Sequence, residues 1–213
     1  MLKLAFENLR TVLCLGAHAD DIEIGCGGTM LKLLAENPAL HVHWVVLGAG
    51  GQRAQEAITS ARRFLRNSGK EDVTVKGFRD SYFPYIGAQV KEYFEQLRDR
   101  ISPDLIFTHR RADLHQDHRL VSELTWCAFR DHLILEYEVP KYDGDMGRPN
   151  LYVPLDESTC REKIETIVEC FPTQNGKNWF SDDTYWAVLR LRGVECHSPS
   201  RLAEGFYAQK MVV

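Results

Sequence analysis

Two short stretches hold most of the chemistry. Residues 14–28 read CLGAHADDIEIGCGG and residues 115–119 read HQDHR. Imidazole nitrogen and carboxylate oxygen suit zinc and related divalent ions, and a catalytic metal site typically keeps three protein ligands and leaves one position for water. In the first stretch His18 and Asp21 are three apart, so one turn can aim both at a single point while Asp20 projects elsewhere. His115 and His118 share that spacing in the second. One set of three ligands, His18, Asp21 and His118, leaves Asp20 and His115 as acid and base candidates on either side. Either motif alone has an ordinary reading, as a solvated loop or as negative charge at a helix start. Only convergence of the two gives a site.

Convergence depends on the elements that carry the motifs. β-rich runs at TVLCLGAH, HVHWVVLGAG, VTVKGF and DLIFTH alternate with helical spacing at TMLKLLAEN, RAQEAITSARRFLRNSG and GAQVKEYFEQLRDRI. Such alternation predicts parallel strands with right-handed crossovers: an α/β, Rossmann-like open sheet, mostly parallel, with helices on both faces. Strand order 3-2-1-4 would make the first and fourth strands neighbours at the point where order reverses, which is where open sheets bind ligands. His18, Asp20 and Asp21 follow the first strand; His115, Asp117 and His118 follow the fourth. A helix over RLVSELTWCAFRDHL comes next, then an irregular stretch, EYEVPKYDGDMGRPNLYVPL, with at most an edge strand. Helices over 157–171 and 182–192 and a terminal strand at GFYAQKMVV complete the expectation.

Bulk composition narrows the function classes. At 213 residues, 44% hydrophobic and 26% charged, the chain reads as a single globular domain over 1–213, with its motifs in 9–133 and a loop, helices and a last strand in 134–213. A net charge of −4 gives no electrostatic reason to expect nucleic acid. No apolar run approaches the roughly 18 residues of a membrane span, and MLKLAFENLR turns charged too early for a signal-peptide core, so a cytoplasmic location is expected. The six cysteines form no CxxC pair, which fits reduced thiols; Cys26 is the one to test for reactivity, against a default of packing. The GCGG run is neither G-x-G-x-x-G nor a lysine-bearing P-loop, so Gly27 and Gly28 are expected to let the following helix pack closely.

AHADDIEIGCGGT resembles the AHPDD…GG signature of the PIG-L/LmbE-like family of zinc-dependent N-acetylglucosamine deacetylases, and HQDHR resembles that family's later HPDH element. The resemblance covers about residues 9–133. It implies that His18, Asp21 and His118 hold Zn2+, with Fe2+ or Mn2+ as alternatives, that Asp20 is the general base, and that a protonated His115 stabilises the oxyanion. Asp117 would orient His115. Arg53 and Glu56 match an Arg-x-x-Glu element, with Arg53 reaching substrate and Glu56 bracing the loop, and Asp80 corresponds to an aspartate near the sugar site. Ala19 and Gln116 stand where the family has proline, which loosens both loops without removing a ligand.

The implied activity is removal of acetyl from an N-acetylated amino sugar or sugar conjugate. The same site could cleave another amide, such as that of a thiol conjugate, and a non-catalytic sugar-binding protein is the alternative from a different class. The implied partner is a small-molecule substrate, with no nucleic acid or membrane span and with a homo-oligomer open. Glu138, Lys141 and Tyr142, with Asp143 and Asp145, are expected to select substrate from the irregular stretch, and Trp179 to cover a sugar face or pack in the core. His109 and Asp113 are candidates for supporting the ligands. His41, His43, His132 and His197 belong to no constellation and are expected to be structural or exposed.

Overall fold

The computed structural model describes residue 6 and residues 8–212. Most of the MLKLAFENLR stretch and the last residue of the expected terminal strand therefore lie outside the described residues.

The elements are β1 (Thr11–Gly16), α1 (Asp21–Glu36), β2 (His41–Val46), α2 (Gln52–Phe64), β3 (Lys70–Val75), α3 (Gly87–Arg100), β4 (Leu105–His109), α4 (Gln116–Ala128), β5 (Leu133–Tyr137), β6 (Leu151–Pro154), α5 (Glu157–Cys170), α6 (Asp182–Glu195) and β7 (Ala203–Ala208), with 3-10 turns at Phe83–Ile86 and Pro172–Gln174. They build one seven-stranded sheet of order β3-β2-β1-β4-β5-β7-β6. The first five strands pair in parallel, and β7 runs antiparallel to both β5 and β6. The expected 3-2-1-4 order is present, so β1 and β4 are neighbours and their carboxyl ends open into one crevice.

Strand residues alternate between two cores. Val12, Cys14, Val42, Trp44, Leu105 and Phe107 face one side, with α1, α2, α5 and α6. Leu13, Leu15, Val45 and Ile106 face the other, with α3 and α4. A period of two with both faces apolar is what a parallel sheet covered by helices on each side requires.

Four elements differ from the sequence expectation, one of them the terminal strand expected at GFYAQKMVV, where β7 starts two residues earlier and ends at Ala208. Helix α1 starts at Asp21, eight residues before TMLKLLAEN, so the glycine run lies inside the helix. Strand β5 replaces the end of the expected helix and the start of the irregular stretch, and it is an interior strand between β4 and β7. Its apolar run LIL is too short for periodicity to distinguish strand from helix. Strand β3 begins at Lys70, three residues early, because hydrogen bonding to β2 extends it through the charged KED segment.

Glycines in α1 serve close approach. A Cβ on Gly25 would lie 2.1 Å from Cδ2 of Tyr137, whose hydroxyl donates to the Leu15 carbonyl at 2.6 Å and so fixes the ring. A Cβ on Gly28 would lie 2.9 Å from Glu204 Oε1. That carboxylate accepts from the amides of Gly28 (2.8 Å) and Thr29 (2.7 Å), while Lys163 donates to Glu204 and to the Ile24 carbonyl, both at 2.6 Å. Ile24 carbonyl and Gly28 amide are the i→i−4 partners of a helical ladder, so a buried ion pair from α5 and β7 enters α1 at that step. The turn of α1 that follows the HADD loop is thereby tied to the C-terminal third of the chain.

Gly25→Ala is expected to lower stability by about 1–3 kcal/mol through overpacking against Tyr137, a fall in Tm of at least about 2 °C. A stabilised variant, as helix propensity alone would give, would contradict this packing.

Candidate active site

His18 sits in the β1–α1 loop, and Asp20 is the residue before the first helical residue, Asp21. Asp21 Oδ2 accepts from the His18 amide at 2.6 Å, closing the turn that aims both side chains the same way. His115 is the N-cap of α4: its Nδ1 accepts from the Asp117 amide at 3.2 Å. Asp117 and His118 occupy the first turn of that helix.

Hydrogen bonds to the outer ring nitrogens fix which ring nitrogens face inward. His18 Nε2 is 3.1 Å from both Asp117 Oδ2 and Asp80 Oδ1, so it holds the proton and Nδ1 faces inward. His118 Nδ1 donates to Asp113 Oδ2 at 3.0 Å, which leaves Nε2 facing inward. Histidine ligands ordinarily have this carboxylate backing. The inward atoms, His18 Nδ1 and His118 Nε2, are 3.2 Å apart, and Asp21 lies 3.5 Å from each through its two oxygens. Ligands about 2.0–2.1 Å from a tetrahedral ion lie about 3.4 Å from one another. The imidazole pair has about that spacing, and each ring nitrogen has one Asp21 oxygen near it, Oδ2 for His18 and Oδ1 for His118.

Two further histidines adjoin the cluster, and each has the lone pair of one ring nitrogen already engaged. His109 Nε2 accepts from the Ala17 amide at 2.9 Å, and its ring stacks on His118 with centroids 3.8 Å apart. His115 Nδ1 is taken by the Asp117 amide, which puts the proton of a neutral His115 on Nε2. The single ligand atoms that lie within 4.8 Å of one another here include two overlapping groups, His18 with His115 and His118, and Asp21 with His109 and His118.

The electrostatics match a cation centre. Burial pulls the His18 pKa down, but hydrogen bonds with Asp117, Asp21 and Asp80 outweigh it and hold it well above 6.5. Positive charge is therefore favourable at this point. Burial pushes His118 down to about 4, so its ring is neutral at pH 7. Burial would raise Asp21, yet the surrounding histidines hold it well below the usual carboxylate range. Asp20 goes the other way: burial raises it, and the opposing Arg53 charge does not fully cancel that rise. Burial together with the nearby His18 charge lowers His115.

Several expectations change. The Asp117 carboxylate orients His18, not His115, and also accepts from the amides of Ser81 (2.7 Å) and Phe83 (3.1 Å). His115 has a lowered pKa and therefore offers a neutral Nε2–H donor in place of the expected imidazolium. Arg53 donates to Asp20 Oδ1 at 2.9 Å and lies over the Phe171 ring, so it anchors the second aspartate of the cluster. Glu56 braces the Pro172–Gln174 turn through the amide (3.1 Å) and hydroxyl (2.5 Å) of Thr173. Gln116 supplies restraint where proline is missing, since its amide donates to the Ser81 carbonyl at 2.5 Å. Asp80 is near the cluster as expected; its side chain is 70% exposed beyond its contact with His18.

The irregular stretch behaves differently from the substrate loop expected of it. Glu138 is buried and engaged by Arg192 (2.8 Å), the Tyr207 hydroxyl (2.6 Å) and the Gly147 amide (2.8 Å), so it is a structural anchor. Lys141 is turned inward onto Asp145 (2.6 Å) and Asp113 (3.1 Å). Asp145 in turn accepts from the Leu114 amide at 2.7 Å. The loop thus buttresses Asp113, the residue that holds His118. Tyr142 is exposed and lies outside the cluster, where its hydroxyl accepts from the Asn178 amide at 3.3 Å. Trp179 is partly buried against the core, and Cys26 is fully buried with its thiol pKa raised by burial, which makes it a packing residue. Tyr137, Phe171 and Thr173 had no sequence signal, because a lone aromatic or threonine far along the chain acquires meaning only from tertiary placement.

Fold and cluster together define an α/β protein with a metal-competent histidine–aspartate centre at the carboxyl edge of its parallel strands. Residues 13–129 match the PIG-L family, GlcNAc-PI de-N-acetylase, and the chain belongs to that family. It is 28% identical over 138 residues, 61% of this chain and 74% of the relative, to the uncharacterized deacetylase YaiS of Escherichia coli (strain K12). Among solved structures it is similar to the N,N'-diacetylchitobiose deacetylase of Pyrococcus horikoshii, with TM-score 0.69, 20% identity and coverage of 94% of this chain and 84% of that one. It is also similar to GalB, the 4-carboxy-2-hydroxymuconate hydratase of Pseudomonas putida KT2440, with TM-score 0.72, 18% identity and coverage of 96% and 98%. Because one of these is a hydratase, likeness at such identity fixes the fold and leaves the chemistry to the site.

Lys141→Met would leave Asp113 and Asp145 buried beside each other without their cation. A loss of about 3 kcal/mol is expected, with faster amide hydrogen exchange over residues 110–118 and 141–147. Unchanged exchange in both segments would contradict the buttress.

Proposed function

We propose that this chain is a metal-dependent N-deacetylase that releases acetate from an N-acetylated amino sugar or sugar conjugate. The observation that carries the reading is the convergence of His18 Nδ1 and His118 Nε2, 3.2 Å apart, with Asp21 between them, its Oδ2 3.5 Å from the first and its Oδ1 3.5 Å from the second. Membership of a family described as a de-N-acetylase supports the reaction. The likeness to YaiS, an uncharacterized deacetylase, and to the N,N'-diacetylchitobiose deacetylase of Pyrococcus points the same way.

His18, Asp21 and His118 would hold the ion. The imidazole and carboxylate donors favour Zn2+, with Fe2+ and Mn2+ as alternatives. Zinc in such a site supplies water of lowered pKa, near 7, and polarises a bound carbonyl.

The remaining groups have separate tasks. Asp20 is the general base. Its Oδ1 is held by Arg53, while Oδ2 is buried with no hydrogen-bond partner, so the second oxygen is the one available to accept a proton from the attacking water. A raised carboxyl pKa makes it a better base than an exposed aspartate. The same carboxyl can return that proton to the departing amine. His115, with Nδ1 occupied by backbone, directs its Nε2–H toward the oxygen that gains charge as water adds to the acetyl carbonyl. Asp117 acts through His18 and positions it. Asp80 and Tyr142, with exposed side chains, are the groups left to meet a sugar, and Arg53 meets it only through the part of its side chain that remains open.

Acetate release measured over a panel of N-acetylhexosamine derivatives, free and conjugated, tests the reading. Turnover of at least one member, abolished by chelator and restored by zinc, is expected. Asp20→Asn should bind metal as wild type does and turn over about 100- to 10,000-fold more slowly. A fully active Asp20→Asn would remove it as base, and release of acetate indifferent to chelator would remove the metal.

A further inference from the structure

The sheet carries a second histidine–carboxylate group far from the first. Strand β2 opens with His41-Val42-His43-Trp44; Val42 and Trp44 are fully buried in one core, so His41 and His43 both project from the opposite face. In the parallel register with β3, His43 pairs with Asp72, which places the carboxylate on that same face. Asp72 Oδ2 lies 2.6 Å from His41 Nε2 and 3.4 Å from His43 Nδ1, and the two imidazole centroids are 4.1 Å apart. The ligand atoms of all three residues fall within 4.8 Å of one another. The imidazole side chains are 20% and 15% exposed and that of Asp72 is 56% exposed, so two largely buried imidazoles meet a carboxylate that is free to move.

We propose that His41, His43 and Asp72 form a second divalent transition-metal site, one that clips the edge strand β3 to β2. Two imidazoles and a carboxylate suit Zn2+, Ni2+, Co2+ or Cu2+ and are poor partners for Mg2+ or Ca2+. A simple ion pair would account for the His41–Asp72 contact alone. It leaves unexplained why a second ring on the same strand face converges on the same oxygen. The 3.4 Å edge already has the donor separation expected around a small tetrahedral ion, about 3.4 Å. The 2.6 Å edge opens by rotation of Asp72, which lies at a solvent-exposed edge. These residues stand in the amino-terminal halves of β2 and β3, whereas the His18 cluster stands past the carboxyl ends of the strands. Water completes the coordination on the open side. A metal bound only by the folded sheet stabilises it by mass action, and here the stabilised element is the strand with one free edge.

Zn2+ titration by calorimetry of the full chain, stripped with chelator, tests this. The expected result is two equivalents of Zn2+ for wild type and one for the His41→Ala/His43→Ala double variant, with Asp72→Asn at least about 10-fold weaker at the second site. Melting provides an independent readout: a zinc-dependent rise in Tm should persist in His118→Ala and shrink in the double variant. If the double variant does not fold, Asp72→Asn decides alone. Stoichiometry and zinc-dependent Tm unchanged in Asp72→Asn and in the double variant would overturn the second site while leaving the His18 cluster untouched. Loss of metal from the His18 cluster alone would leave the second equivalent in place.

Discussion

The structure turns on two imidazole nitrogens and a carboxylate that converge on one point, where positive charge is favoured. His18 Nδ1 and His118 Nε2 stand 3.2 Å apart with Asp21 beside both. Such an arrangement is unfavourable unless positive charge sits among the donors, and inside a protein the low dielectric sharpens that dependence. Tautomers decide it. Asp117 and Asp80 draw the His18 proton outward, and Asp113 does the same for His118. Had the neutral His118 ring been turned the other way, an N–H would point into the cluster and no ion could use it.

Holding those backing carboxylates in place recruits the rest of the chain. Asp117 is satisfied by backbone amides from the loop after β3, Asp113 by the His115 amide and by Lys141, and Asp20 by Arg53 from α2. Each partner comes from a different crossover. Buried carboxylates left without partners would cost several kcal/mol each, so the loops are coupled by charge satisfaction as much as by apolar packing. The same logic recurs in α1, where Lys163 and Glu204 enter the helix near Ile24 and Gly28 and bind its first turns to α5 and β7. The cluster residues lie between His18 and His118, and much of what keeps them in register comes from the chain beyond residue 130.

This division governs what could be read before folding. The strand order through β4 and the pairing of the HADD and HQDH segments follow from periodicity and from the rule that open parallel sheets bind at their carboxyl ends. His18, Asp21 and His118 were legible because spacing and side-chain type already limit where they can point. Asp117 was legible as a site member but assigned to the wrong ring, since which imidazole a carboxylate meets depends on helix orientation. Glu138 and Lys141 looked like substrate contacts because polar residues in a long loop usually face solvent; here buried countercharges turn them inward. Strand β5 was hidden by a three-residue apolar run, and His41 and His43 gained a shared partner only when β3 supplied Asp72 in register.

Anomalous diffraction at the zinc edge, on crystals grown with limiting metal, tests the central claim most directly. One strong peak is predicted within bonding distance of His18 Nδ1, Asp21 and His118 Nε2, with the His18 Nε2 and His118 Nδ1 atoms still facing their carboxylates. A peak elsewhere with this cluster empty, or either histidine flipped so that its other nitrogen coordinates, would contradict the account.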